Sequence, residues 1–121
     1  MKCGWICLVE YPFTDGTGAK VRPVLVVSLD TYNTGEDVVV VPISSRPDPN
    51  DPHSVYIEST SPLFSATGLK QSSSAKWTKP FTMCKTLLVR RLGHLGSPLM
   101  SDVATSILTL FSDDSRKRLG R

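Results

Sequence analysis

The sequence is poor in the residues that usually hold metals or form disulfides, with three cysteines and two histidines among 121 residues. An odd number of cysteines cannot all pair, and without a signal-like N-terminus reduced thiols are the expectation. Cys3 and Cys7 stand four apart in a strand-like segment, while His53 and His94 are isolated in the sequence. No zinc-like spacing results, so no metal and no cofactor are expected. No window is long and apolar enough for a transmembrane helix. Met1-Lys2-Cys3-Gly4-Trp5 runs straight into a strand-like segment, without the apolar stretch and small-residue cleavage site of a secretory signal. A cytoplasmic location, with no membrane partner, follows as the expectation. A general positive field is lacking too. Of the fourteen basic residues behind the net charge of +3, Arg116, Lys117, Arg118 and Arg121 lie in the last six positions. Residues 1–115 hold ten basic against eleven acidic residues, a balance of −1. Contact with a polyanion must therefore use a local patch or the basic tail.

What remains is an ordinary globular composition, 40% hydrophobic and 21% charged, in a chain of 13.2 kDa that fits one domain. We expect that domain over residues 1–113, with 114–121 as a basic tail. Strand-length runs of β-branched, aromatic and apolar residues occupy 5–10, 24–29 and 38–43, and the last two are nearly continuous, as in central strands covered on both faces. Residues 12–20 carry Gly16 and Gly18 among polar residues and suit a long hairpin connection. Residues 46–53 contain three prolines and belong to a surface loop. Residues 54–58 alternate as a half-buried strand does, and 74–77 and 86–91 are further strands with Lys79-Pro80 interrupting between them. Residues 60–73 give no clear element. Ser97 reads as an N-cap with Pro98 in the first helical position. Leu99/Met100, Val103/Ala104, Ile107/Leu108 and Phe111 then make the apolar stripe of a C-terminal amphipathic helix. Six or so short strands and one terminal helix indicate a mainly β (α+β), compact barrel.

The chemistry sits at strand ends. Lys20-Val21-Arg22-Pro23-Val24-Leu25-Val26-Val27-Ser28 brings an arginine into one strand, and Pro42-Ile43-Ser44-Ser45 brings hydroxyls to the end of the next. Side by side, a planar guanidinium and a hydroxyl can grip and polarise a phosphodiester. On pattern alone, Arg22 reads equally as a surface arginine ahead of a proline, and Ser44 as a strand end or the start of an ST-turn. Trp77 is expected in the core, and Phe13, in the glycine-bearing loop, is the better candidate for stacking on a base.

With these residues placed, the chain resembles the MazF/PemK family, the growth-inhibiting toxins of bacterial type II toxin–antitoxin systems. The resemblance runs through Gly4-Trp5-Ile6-Cys7-Leu8-Val9, Pro12-Phe13-Thr14-Asp15, the Arg22-Pro23 strand to Ser28, Asp30, Asn33, and Val40-Val41-Pro42-Ile43-Ser44-Ser45. It continues in Gly68-Leu69, Lys79 with Thr82, and Arg91-Leu92-Gly93-His94-Leu95. It implies an SH3-like barrel of the MazF/CcdB type and a homodimer. It further implies metal-independent, sequence-selective cleavage of single-stranded RNA, inhibition by a cognate antitoxin protein, and DNA binding by the complex of the two. The family's catalytic arginine falls on Arg22 and its catalytic threonine on Ser44, a departure that keeps the hydroxyl but loses the methyl that restricts χ1.

Such cleavage proceeds by attack of the ribose 2′-hydroxyl on the adjacent phosphorus, leaving a cyclic phosphate and a 5′-hydroxyl. Arg22 suits the charge that builds on phosphorus, and Ser44 adds a hydrogen bond. Neither motif contains a histidine to act as base, so Glu10 is a candidate auxiliary carboxylate. Phe13, Lys20, Ser45, Arg46, Lys79 and Thr82 are candidate RNA contacts, and His94 is assigned a structural part. The alternative is a catalytically weak barrel that binds an antitoxin or, as gyrase-poisoning toxins do, a protein target.

Overall fold

Apolar runs become strands here because each finds a partner ladder, and the computed structural model describes residues 1–11 and 20–111 of the chain. Seven strands follow one another in the order β1 (Trp5–Tyr11), β2 (Lys20–Val26), β3 (Asp37–Ser44), β4 (Val55–Ile57), β5 (Ser73–Ala75), β6 (Phe81–Cys84) and β7 (Leu88–His94). A single turn of helix, α1 (Phe64–Thr67), precedes β5, and α2 (Leu99–Leu108) closes the described chain. All pairings are antiparallel, in the order β4-β5-β3-β2-β1-β7, with β6 joining β3 off that path. β4 and β7 end the path without meeting, so the sheet does not close. It is nonetheless barrel-like, in agreement with the mainly β expectation.

Alternation along β1, β2 and β3 feeds two cores, one on each face. Ile6, Leu25, Val41 and Ile43 join Ile57, Ala75, Trp77, Leu95 and Val103 on one side. Cys7, Val9, Val24, Val26, Val38 and Val40 join Met83 on the other. The continuous apolar runs of the central strands are thus explained by burial on both faces. Trp77 is core, as expected.

Several boundaries differ from the sequence reading. β2 begins four residues earlier than composition suggests, at Lys20, because its polar start pairs with the end of β1, Tyr11 opposite Lys20. Its end comes earlier too. The Val27 and Ser28 amides both donate to the Val39 carbonyl, at 2.9 and 3.3 Å, and the Ser28 hydroxyl accepts from the Val39 amide at 2.9 Å. β6 follows directly after the expected Lys79-Pro80 interruption, in a stretch to which no strand was assigned. Residues 60–73 hold α1, whose C-terminal Gly68 takes φ 72°. The helix start is a correction: the Ser97–Pro98 bond is cis, Pro98 occupies the cap position with no side-chain capping bond, and α2 begins at Leu99. Its stripe is narrower than read. Val103 is buried and Leu99, Met100 and Ile107 pack on the first core, whereas Ala104, Leu108 and Phe111 are exposed.

Candidate active site

The two edges of β3 change their neighbours along the strand, with β6 giving way to β5 on one edge and the β2 ladder ending on the other. Val40, Val41 and Pro42 pair with β2, but Ile43 and Ser44 pair with Ala75 and Ser74 of β5. The change comes at two prolines, Pro23 and Pro42, neither of which has an amide hydrogen to continue a ladder. The Pro42 carbonyl is taken up by the Lys76 amide at 2.9 Å. Past that point β2 and β3 separate, and the opening is a cavity of about 510 Å³ lined by Tyr11, Arg22, Pro23, Pro42, Ile43, Ser44, Ser45 and Arg46.

Arg22 reaches it by register. In β2 it lies opposite Val9, so it shares a face with Val9 and Val24 but sits at the exposed end of that face. Arg22 and Ser44 each lie two residues past the last β2–β3 pair, Val24 opposite Pro42, and both line the cavity. Among the described residues Arg22 and Arg46 make no ion pair, which leaves both guanidinium groups able to take an anion. The Ser44 hydroxyl is held locally. Its Oγ accepts from the Arg46 amide at 3.1 Å and donates to the Arg46 carbonyl at 3.5 Å, the ST-turn that the strand end suggested. Beside it in the ladder, the buried Ser74 hydroxyl has no hydrogen-bond partner among the described residues.

Of the other sequence candidates, Ser45 and Arg46 line the cavity, and Lys20 is exposed at its β1–β2 margin, opposite Tyr11. Glu10 is not brought in. It pairs with Val21, which sets it on the opposite face of the ladder from Arg22. Lys79 is exposed before β6 and Thr82 is exposed on β6, and neither lines the cavity. Phe13 lies outside the described residues. His94 is exposed at the end of β7, opposite Trp5, away from the cavity lining.

Tyr11 lines the cavity but was not among the sequence candidates. It stands two positions beyond Val9 on the same face of β1, which makes it the diagonal neighbour of Arg22. Its ring packs edge-on against Phe81, with centroids 5.4 Å apart. Burial pushes its phenol pKa up, and the nearby Arg22 charge pulls it part of the way back. The signal that could have found it was alternation: if Arg22 faces the site, so does every second residue of its ladder partner. Lys70 and Arg90 were missed as well. They border a second cavity of about 390 Å³, which shares Pro23 and Ser45 with the first and has Leu8, Leu69 and Leu92 in its lining. Gln71 ties the two together by donating to the Ser45 carbonyl at 2.8 Å.

Comparison with known proteins is consistent along nearly the whole chain. A family model described as PemK-like, MazF-like toxin of type II toxin–antitoxin system matches residues 2–111. Among solved structures, the Mycobacterium tuberculosis toxin MazF-mt6 has a TM-score of 0.68 at 21% identity, covering 88% of this chain and 94% of that one. A MazE–MazF structure from Deinococcus radiodurans has a TM-score of 0.70 at 18% identity, with coverage of 91% and 94%. An endoribonuclease in complex with its cognate antitoxin, from a mycobacterial species, has a TM-score of 0.63 at 23% identity, with 90% of each chain covered. No curated protein matches.

Proposed function

The chain belongs to the PemK-like, MazF-like toxin family of type II toxin–antitoxin systems, and from that membership we propose that it is a metal-independent endoribonuclease that cuts single-stranded RNA in the cytoplasm. The observation that carries this reading is the meeting of Arg22 and Ser44 at one open cavity. A guanidinium that no carboxylate among the described residues neutralises, beside a hydroxyl held in its own turn, is suited to bind the non-bridging oxygens of a phosphodiester. Both can donate to the oxygen on which charge grows as the 2′-hydroxyl attacks. The products are a 2′,3′-cyclic phosphate and a 5′-hydroxyl, and no metal is required to balance the step.

Around that centre, Ser45, Arg46 and Lys20 take flanking phosphates, together with Lys70 and Arg90 at the neighbouring cavity. Lys79 and Thr82, farther along the chain, are assigned to more distant backbone contacts, and Phe13 to base stacking. Glu10 receives no proton-transfer role because it faces the other side of the ladder. The protein acts as a homodimer and is silenced by a cognate antitoxin. A MazE–MazF complex and an endoribonuclease–antitoxin complex among its structural neighbours support the second point.

The test is cleavage of a defined single-stranded RNA in EDTA, with the ends of the fragments identified. Wild-type protein is expected to leave cyclic phosphate ends at discrete sites, and Arg22→Ala to lower the rate by about 1,000-fold, as loss of a transition-state donor does. Equal cutting by Arg22→Ala would remove Arg22 from the reaction. Failure of the wild type to cut any RNA would favour the protein-binding alternative.

A further inference from the structure

Transesterification needs a proton for the departing 5′-oxygen, and the two residues so far assigned are poor sources of one. Arginine does not give up its proton near neutral pH, and an aliphatic hydroxyl such as that of Ser44 holds its own still more tightly. The cavity lining contains no histidine, aspartate or glutamate among the described residues. It does contain one phenol. Tyr11 lines the same cavity as Arg22 and Ser44, and lies on the Arg22 face of the β1–β2 ladder at the diagonal position. Its ring is held edge-on to Phe81, which partly buries the ring and restrains its swing.

We infer that Tyr11 is a third catalytic residue of this site, the general acid that protonates the leaving 5′-oxygen. The inference rests on the endoribonuclease reading above. In the step, the 2′-oxygen–phosphorus bond forms and the phosphorus–5′-oxygen bond breaks. The electron pair of the broken bond leaves with the 5′-oxygen, which takes the phenolic proton of Tyr11. The 2′-hydroxyl proton passes to solvent, and the phenolate is reprotonated from solvent before the next turnover. Burial favours the neutral phenol, so Tyr11 carries its proton at neutral pH, and the Arg22 cation stabilises the phenolate that exists briefly after transfer. The same pair of influences argues against Tyr11 as the base, because a base would have to be ionised beforehand.

The experiment compares an ordinary single-stranded RNA with one carrying sulfur in place of the 5′-bridging oxygen at the mapped cut, since a thiolate departs without protonation. Tyr11→Phe keeps the ring and its packing and removes only the hydroxyl. On the oxygen RNA it is expected to lower kcat by about 100-fold with KM unchanged, the scale of general acid catalysis. On the sulfur RNA it should cut within a few-fold of the wild type. Full activity of Tyr11→Phe on the oxygen RNA, or an equal loss on both RNAs, would overturn the assignment while leaving the endoribonuclease reading intact. A wild type that cuts neither RNA would overturn both. The wild type alone supplies a second readout. Its rate on the oxygen RNA should fall at alkaline pH as the phenol ionises, a fall the sulfur RNA should lack, and identical profiles would also overturn the assignment.

Discussion

Ser44 carries its hydroxyl on a side chain with one fewer restraint than threonine, yet the oxygen is not loose. The Arg46 amide donates to it at 3.1 Å, which ties χ1 to the turn that ends β3. The backbone therefore does part of what a β-branched side chain would do by sterics. Two substitutions separate these contributions in the proposed reaction. Ser44→Ala removes the donor and is expected to lower kcat by about 100-fold. Ser44→Thr keeps the donor, adds the χ1 restraint, and should raise kcat several-fold with little change in KM in the same RNA-cutting assay. A slower Ser44→Thr would mean that the turn already fixes the hydroxyl and that the methyl obstructs the half-buried strand end.

Among the elements, α1 and β7 beside the second cavity meet only because glycines let them. A Cβ on Gly68 would come 2.2 Å from the Leu92 carbonyl oxygen, and one on Gly93 would come 2.1 Å from that of Ala66, so α1 and β7 are in direct backbone contact. Gly68 also has φ 72°, where a side chain is strained. Gly68→Ala should accordingly cost about 3 kcal/mol, the sum of overpacking against backbone and left-handed strain. Urea unfolding measures it, and a loss below about 1 kcal/mol would show that α1 can lift away cheaply. Such contacts explain what could be read in the sequence and what could not. β1, β3 and the body of β2 announced themselves by composition because both of their faces are buried. The single turn α1 and the four-residue β6 did not, since neither is long enough to show a period, and each exists because of what it packs on or pairs with. The helix was legible as an apolar stripe, but its first turn was not. A Ser-Pro pair that usually caps and starts a helix instead precedes one, through a cis bond. The site was legible in the same uneven way. Arg22 and Ser44 stood out by motif, while Tyr11, Lys70 and Arg90 have no local signature and enter through register and packing.

For the whole molecule, the balance of charge over residues 1–115 is −1, so the RNA binding proposed above must draw on a few cations gathered at one place, or on the basic tail, and not on a diffuse field. Arg22 and Arg46 line the first cavity and Lys70 and Arg90 the second, with no acidic residue in either lining among the described residues. Binding to a single-stranded RNA with a 2′-deoxy block at the cut should then show a log–log salt slope of about −1.4 to −2.8, corresponding to two to four phosphates. Arg46→Ala should flatten the slope by about 0.7 without changing which site is cut. An unchanged slope would remove Arg46 from the RNA path.

The strand-rich class, the two-sided burial of the central strands and the choice of Arg22 and Ser44 as a candidate pair follow from residue type and short-range pattern, which the sequence contains. Only the assembled sheet settles where the β2–β3 ladder ends while β5 pairs on the other edge of β3, and so where the sheet opens into a cavity. It decided too that Tyr11 shares that cavity while Glu10, the residue before it, faces away. Register between strands fixes both outcomes, and register is set by the packing of the whole sheet, which no single stretch of sequence contains.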